Sequence, residues 1–427
     1  MTEYLKMENS ELSKEFDAVK KEYESLRSLH LSLDMSRGKP GFDNMDLSEK
    51  MFDLVGNDTG FKNISGIDCR NYGGLDGLTE MKNLFAQILE LKPEQIIVGG
   101  NSSLNMMFDT IAQAMTHGMG AEPWYECRDR KFLCPVPGYD RHFAITEYFG
   151  FKLIPIEMND EGPVMEQVEE WVKDETVKGI WCVPKYSNPE GITFSDNVVK
   201  RMAALKPAAK DFRIFWDNAY AVHHLYDTQD KLLNIYDECV KQGNPDLPLI
   251  FTSSSKITFP GAGVAATGAS HNNVAMLKDR MQYQTIGPDK LNQLRHARMF
   301  RDIKDVEKHM KKLANILRPK FDCVLSALDS HLKDLGIANW TKPNGGYFIS
   351  LHVLEGCAKR VEELCANAGM TLTPAGATYP HGYDPKDSNI RIAPSFPSVS
   401  EIEKASQVLC VAVKYAALEK LLGYSQD

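Results

Sequence analysis

No apolar run in the sequence approaches the length of a membrane span, and the first nine residues carry neither a basic stretch nor an apolar core. Both absences argue against membrane insertion and secretion and predict a cytoplasmic protein. Clustered basic residues are also missing: 49 Lys and Arg stand against 58 Asp and Glu, a formal charge of -9. Such a chain is poorly suited to neutralising a row of phosphates, which argues against nucleic acid as a partner. The nine cysteines never fall as Cys-x-x-Cys, and their number is odd. They read as reduced thiols rather than a disulfide framework or a zinc site. No metal is expected either, because the adjacent pair His223-His224 points its rings different ways and no further ligand pattern joins it. Internal repeats and low-complexity linkers are absent too.

What is present is an alternation of short apolar runs and helical stretches. Runs near 131–136, 151–156, 179–183, 212–216 and 247–251 read as strands separated by helices, the pattern of a mostly parallel sheet. Leu12, Phe16, Val19, Tyr23 and Leu26 form the stripe of an earlier amphipathic helix, with Ser10 as its cap. After about residue 300 the pattern changes. A long charged helix is followed by a strand over 344–350, a helix over 361–368 stopped by Gly369, a strand over 389–393, and a last helix with Ser400 and Glu403 in capping-box spacing. The organisation expected is an α/β protein with a large domain over 51–300 and a smaller α+β domain over 301–427. Residues 1–50 supply a helix and a segment that join the smaller one.

Three strand ends carry complementary chemistry. The run 247–251 opens into Ser253-Ser-Ser-Lys256 and the glycine-rich Gly261-Ala-Gly263, the end of the strand where ligands sit in open α/β sheets. A lysine held among hydroxyls and partly stripped of water becomes a nucleophile toward an aldehyde. The run 212–216 ends in Asp217, with Tyr220 three residues on. An aspartate at a buried strand end needs a cation, and a protonated pyridine nitrogen is one. The run 179–183 opens into Asn188-Pro-Glu-Gly191, whose amide, like the Tyr220 hydroxyl, suits a ring oxygen. Gly100, Asn101, Ser102 and Ser103 lie between a short strand and a helix start, a ready phosphate site. Gly261-Ala-Gly-Val-Ala-Ala266 formally fits a dinucleotide fingerprint but does not directly follow a strand, and reads better as close packing beside the lysine loop.

The ordered set Asn-Pro-x-Gly, Asp-x-x-Tyr and Ser-x-x-Lys resembles the fold-type I pyridoxal-phosphate enzymes. Within them the chain is most similar to class I aminotransferases of the aspartate aminotransferase group, including the branch fused to MocR-type regulators. The resemblance runs from Ser36-Arg-Gly-Lys-Pro40 to Arg391. It implies a mostly parallel seven-stranded sheet, a smaller α+β domain, and pyridoxal 5'-phosphate joined to Lys256. Asp217, Tyr220 and Asn188 would then hold the ring, and Gly100, Asn101, Ser102, Ser103, Ser253 and Ser255 the cofactor's phosphate end. Tyr139 falls where an aromatic ring stacks on the cofactor, and Gly38 where the backbone passes the substrate. Tyr72 matches a tyrosine that reaches the phosphate of the neighbouring subunit, which implies a homodimer with active sites at the interface.

The implied reaction moves an amino group between a small-molecule amino acid, aspartate or glutamate, and a 2-oxo acid, 2-oxoglutarate or oxaloacetate. A carbon-sulfur β-lyase on the same cofactor and a non-catalytic ligand-sensing domain are the alternatives. One position departs from the family pattern. Val264 stands where a basic phosphate partner is usual, eight residues after Lys256. Arg391, between Ile390 and Ile392, faces away from its neighbours on a strand and needs a partner if buried. The resemblance makes that partner a substrate α-carboxylate, and an internal Asp or Glu is the alternative. Arg37 and Arg280 are the candidates for a second carboxylate.

Overall fold

Five of the apolar runs become parallel neighbours in the computed structural model, which describes residues 3–424. In spatial order they are Lys152–Asn159, Lys131–Val136, Val177–Cys182, Arg213–Asp217 and Pro248–Ser253. Ala265–Gly268 joins the last of these antiparallel, and Ile96–Val98 pairs antiparallel with it at the edge. At the opposite edge the two-residue strand Gly162–Pro163 folds back on Met158 and Asn159. The sheet is therefore eight-stranded and mixed rather than seven-stranded. The added strand follows from its turn: Asn159 Oδ1 accepts from the Glu161 amide at 2.9 Å, and Gly162 takes a φ of +135°.

Successive side chains of a strand point to opposite faces, so each strand feeds two cores. Ile180, Ile214, Trp216 and Ile250 fill one, and Phe132, Trp181, Phe215 and Phe251 fill the other. On the second face the rings follow one another across the strands, with centroids 5.1 Å apart from Phe132 to Trp181, 4.8 Å to Phe215 and 5.7 Å to Phe251. Aromatic pairs of this kind add about 0.5–1.5 kcal/mol each beyond burial. The row therefore helps hold in register the strands whose ends lead to Asn188, Asp217 and Lys256.

A second, antiparallel sheet contains Ala338–Trp340, Ile349–Val353 and Asn389–Ile392. Its middle strand begins later than the sequence suggests. Gly345 and Gly346 first pass over Tyr186, too close for any β-carbon, and Gly346 takes a φ of +82°. Helices Ile303–His331, Ala358–Asn367 and Val399–Leu421 accompany this sheet. The last helix starts at the earlier of two overlapping Ser-x-x-Glu frames, directly after Pro397. Glu401, not Glu403, accepts from the Ser398 amide at 2.7 Å. Likewise Ser10 is not the cap of the first helix, Asn9–Arg27, which starts one residue before it with the Glu8 amide donating to Glu11 at 3.2 Å.

The N-terminal segment is built into this second layer. All five stripe residues are buried, Phe16 packs edge-on to Tyr415 at 5.0 Å, and the Tyr23 hydroxyl donates to the Leu364 carbonyl at 3.0 Å. Leu33–Asp34 then pairs in parallel with Met370–Thr371. Gly369 makes this pairing possible. It takes a φ of +80°, its carbonyl accepts from the Leu33 amide at 2.9 Å, and a β-carbon there would overlap the Leu31 carbonyl. Gly369→Ala should destabilise the protein by roughly 2–4 kcal/mol, combining left-handed backbone strain with overpacking. Chemical denaturation followed by circular dichroism measures this, and an unchanged midpoint would contradict it.

Candidate active site

Strand ends from the large sheet and residues of the smaller layer enclose a cavity of about 820 Å³. Lys256 enters it from the loop after Pro248–Ser253. Its carbonyl accepts from the Tyr347 hydroxyl and from His223 Nε2, each at 3.3 Å, and its Nζ lies 5.2 Å from the centre of the Tyr220 ring. Burial pushes the Lys256 amine below its ordinary pKa; Asp217 opposes the shift and Arg391 reinforces it. Burial also drives His223 down to about 3, so this imidazole is neutral. His224 turns away, its Nδ1 meeting the Tyr186 hydroxyl at 2.7 Å. Among the described residues, no group of three or more His, Cys, Asp or Glu could hold a metal ion.

Asp217 ends its strand with 3% exposure. Its Oδ2 accepts from His142 Nε2 at 3.0 Å, while its Oδ1 is buried in the cavity wall without a hydrogen-bond partner. His142 is fixed in turn by the Trp181 ring, stacked on it at 4.5 Å and 13°. Tyr220 is buried, and its phenol is pushed well above its ordinary pKa, chiefly by burial and further by Tyr139 and Asp217. It therefore stays protonated and can donate. Tyr139 lines the same cavity with its phenol raised to about 12, again mainly by burial.

Arg391 comes from the other layer, on the strand Asn389–Ile392, opposite Ser350. Its Nη1 donates to Asp140 Oδ1 at 2.9 Å and to Asn188 Oδ1 at 3.3 Å, and its Nε and Nη2 reach only the Thr373 hydroxyl, at 3.4 Å. The internal partner is thus an aspartate. The Phe348 ring lies 5.1 Å below the guanidinium. Gly38 lines the cavity, and a β-carbon on it would overlap that ring. The missing side chain makes room for Phe348.

The serines converge less uniformly. Ser102, Ser103, Ser253 and Ser255 line the cavity, and Ser102 caps the helix Ser103–His117. Asn101 does not line it; its carbonyl accepts from Ser255 Oγ at 3.2 Å, and Gly263 lies too close to that carbonyl to carry a β-carbon. Gly100 borders a separate cavity of about 240 Å³. Arg280 lies there too, 3.5 Å from Asp109, and does not line the main cavity. Arg37 and Lys39 do line the main cavity, and so does Arg141. Val264 is buried, leaving no cation at that position. Tyr72 is 81% exposed and does not reach its own cavity.

Residues that sequence reasoning missed are His142, Asp140, Arg141, Thr373 and Phe348. His142 had a signal, since it lies three residues beyond Tyr139 on a helix that the sequence placed correctly. Asp140 and Arg141 open the same helix, while Thr373 and Phe348 come from the smaller layer, whose packing on the larger one no local pattern encodes.

A mixed α/β sheet beside a smaller antiparallel layer, closing on a lysine at a strand end, is the architecture of an aminotransferase. The family model for aspartate amino-transferase matches residues 7–425, and the chain belongs to that family. It is 46% identical over 403 residues to an aspartate aminotransferase of Corynebacterium glutamicum, covering 94% of this chain and 93% of that one. The crystal structure of an aspartate transaminase from Corynebacterium glutamicum superposes with a TM-score of 0.96 at 44% identity, covering 98% of this chain and 99% of that one. Both relatives are named for transamination, neither for carbon-sulfur cleavage nor for ligand sensing.

The two charges flanking Lys256 act on it with opposite sign. Asp217→Asn should lower the amine pKa further, and Arg391→Ala should raise it. The pH dependence of Lys256 labelling by an amine-directed reagent, in cofactor-free protein, reads both shifts. Shifts in the same direction would show that these charges do not set it.

Proposed function

We propose that this aminotransferase moves an amino group between aspartate or glutamate and 2-oxoglutarate or oxaloacetate, using pyridoxal 5'-phosphate held in the Lys256 cavity. The observation that carries the reading is Asp217 Oδ1. A buried carboxylate oxygen without a donor is costly, and a protonated ring nitrogen is the donor that fits it. Ser102, Ser103, Ser253 and Ser255 would hold the phosphate with the first amides of their helix. Tyr220 and Asn188 would serve the ring oxygen, and Tyr139 would lie against the ring. The cofactor supplies an electron sink for the bond broken at the substrate α-carbon. Asp217 holds the donor proton in place by its charge. Lys256 Nζ, with its pKa lowered, moves the α-carbon proton. Arg391 grips the α-carboxylate with parallel hydrogen bonds. The second carboxylate falls to Arg37 or Arg141, both exposed in the cavity and without an acidic partner among the described residues.

The proposal includes a homodimer in which Tyr72 reaches the partner's phosphate site. Tyr72, Tyr283 and Ile286 are exposed at 81%, 88% and 63%, on segments that touch through Gly73 and Gly287. Large exposed apolar groups gathered in this way favour an interface. It also includes the division into 1–50, 51–300 and 301–427. The eight-stranded sheet lies within Ile96–Gly268 and the three-stranded sheet within Ala338–Ile392, which supports that division. No helix among the described residues is long and apolar enough to cross a membrane. A cytoplasmic location is part of the reading, supported by nine free cysteines.

A screen of amino donors and 2-oxo acids on cofactor-loaded protein tests the substrates; aspartate and glutamate should lead, and a preference for uncharged donors would overturn the assignment. Borohydride reduction followed by peptide mapping should place the cofactor on Lys256 and no other lysine. Arg391→Ala removes one side of a buried charge pair, a loss of about 2–5 kcal/mol. At about 1.36 kcal/mol per tenfold, kcat/KM should fall by roughly thirty- to several-thousand-fold for every amino acid donor. Ordinary kcat/KM in that variant would place the carboxylate clamp elsewhere.

A further inference from the structure

Arg391 already holds a carboxylate before any ligand arrives. Asp140 Oδ1 meets its Nη1 at 2.9 Å, and the two side chains are 34% and 7% exposed. Asp140 and Arg391 line the same cavity as Lys256, so the ion pair borders the space a ligand would occupy. We propose that Asp140 is a built-in occupant of this clamp, displaced by the substrate carboxylate, and that it thereby sets the affinity of the site for carboxylate ligands. The inference rests on the reading of Arg391 as the clamp.

Three features make the exchange feasible. First, Asp140 engages a single guanidinium nitrogen, while Nε and Nη2 have only long contacts to Thr373. An incoming carboxylate can take two nitrogens in parallel, which is the stronger geometry. Second, Asp140 is the first residue of the helix Asp140–Tyr148. A carboxylate released there remains at the positive end of the helix dipole. Third, Asp140 is exposed enough for water to complete its solvation once it lets go. The pairing also has a reason to exist. A guanidinium at 7% exposure with no counter-ion would carry a heavy desolvation penalty between turnovers.

An aspartate at this point affects ligands selectively. It weakens the binding of anything that uses Arg391 and leaves other contacts alone. That separates displacement from general repulsion by a nearby negative charge, which would act whether or not Arg391 is present.

The test is calorimetric titration of the cofactor-loaded protein with succinate, a dicarboxylate without an amino group. Wild type, Asp140→Asn, Arg391→Ala and the double variant are compared. Asp140→Asn should bind succinate roughly two- to fivefold more tightly, the upper part of the range for a solvent-accessible ion pair. The gain should vanish in the double variant. If Arg391→Ala binds succinate as wild type does, the clamp reading itself fails. If Arg391→Ala loses binding while Asp140→Asn is unchanged or weaker, the clamp stands and the displacement inference is overturned. A gain that persists without Arg391 means general repulsion and also overturns it. Should Asp140→Asn fold poorly, Asp140→Ser keeps a helix-start residue, and structural damage cannot produce tighter binding.

Discussion

A carboxylate buried to 3% exposure is tolerable only if both of its oxygens are provided for, and the architecture around Asp217 is arranged by that requirement. One oxygen is met by His142, which comes from the helix Asp140–Tyr148 and must hold its ring at a fixed angle. Trp181 supplies that angle by stacking, and Trp181 belongs to the row of rings running from Phe132 to Phe251. The packing of one face of the sheet is thus continuous with the orientation of a single hydrogen bond. The other oxygen is buried in the cavity wall and has no hydrogen-bond partner from the protein. The same low-dielectric setting depresses the amine of Lys256 and keeps Tyr220 protonated. Burial thus sets the direction of both shifts.

The strand-end residues were legible in the sequence because a strand buried on both faces reads as an apolar run, and the run stops where chemistry begins. Asn188, Asp217 and Lys256 each follow such a stop, and the structure brings all three to the one cavity. Segments organised by a turn were read less well. The loop at Gly100 and Asn101 looks like a phosphate cradle in one dimension, yet only its serine side faces the cavity. Gly38 was singled out for backbone approach; it lines the cavity, and its lack of a side chain also accommodates the ring of Phe348, more than three hundred positions away. Arg280 was a candidate and Arg141 was not, and tertiary packing puts Arg141 on the main cavity and Arg280 on the separate one. Periodicity encodes which face a residue takes, but not which other layer that face will meet.

Helix ends illustrate a smaller ambiguity. Ser398 and Ser400 both head a Ser-x-x-Glu frame, and the two frames compete for one helix start. Both are chemically competent. The earlier frame prevails directly after Pro397, which has no amide to offer the helix and marks where the preceding chain must end. The first helix is similar: Ser10 is a suitable cap by composition, but the helix has already begun at Asn9.

The N-terminal helix finds its partners only in the last part of the chain. Tyr23 bonds to Leu364, 341 positions on, and Thr373 bonds back to Ser36 across 337. In chain order this helix is made well before the surface that buries Leu12, Phe16 and Val19. At about 5–20 residues per second the delay is on the order of tens of seconds. During that interval an amphipathic stripe stands open to solvent, a natural client for a chaperone. The layer that carries Arg391 is therefore completed only when the helix Asn9–Arg27 meets the helices Ala358–Asn367 and Val399–Leu421.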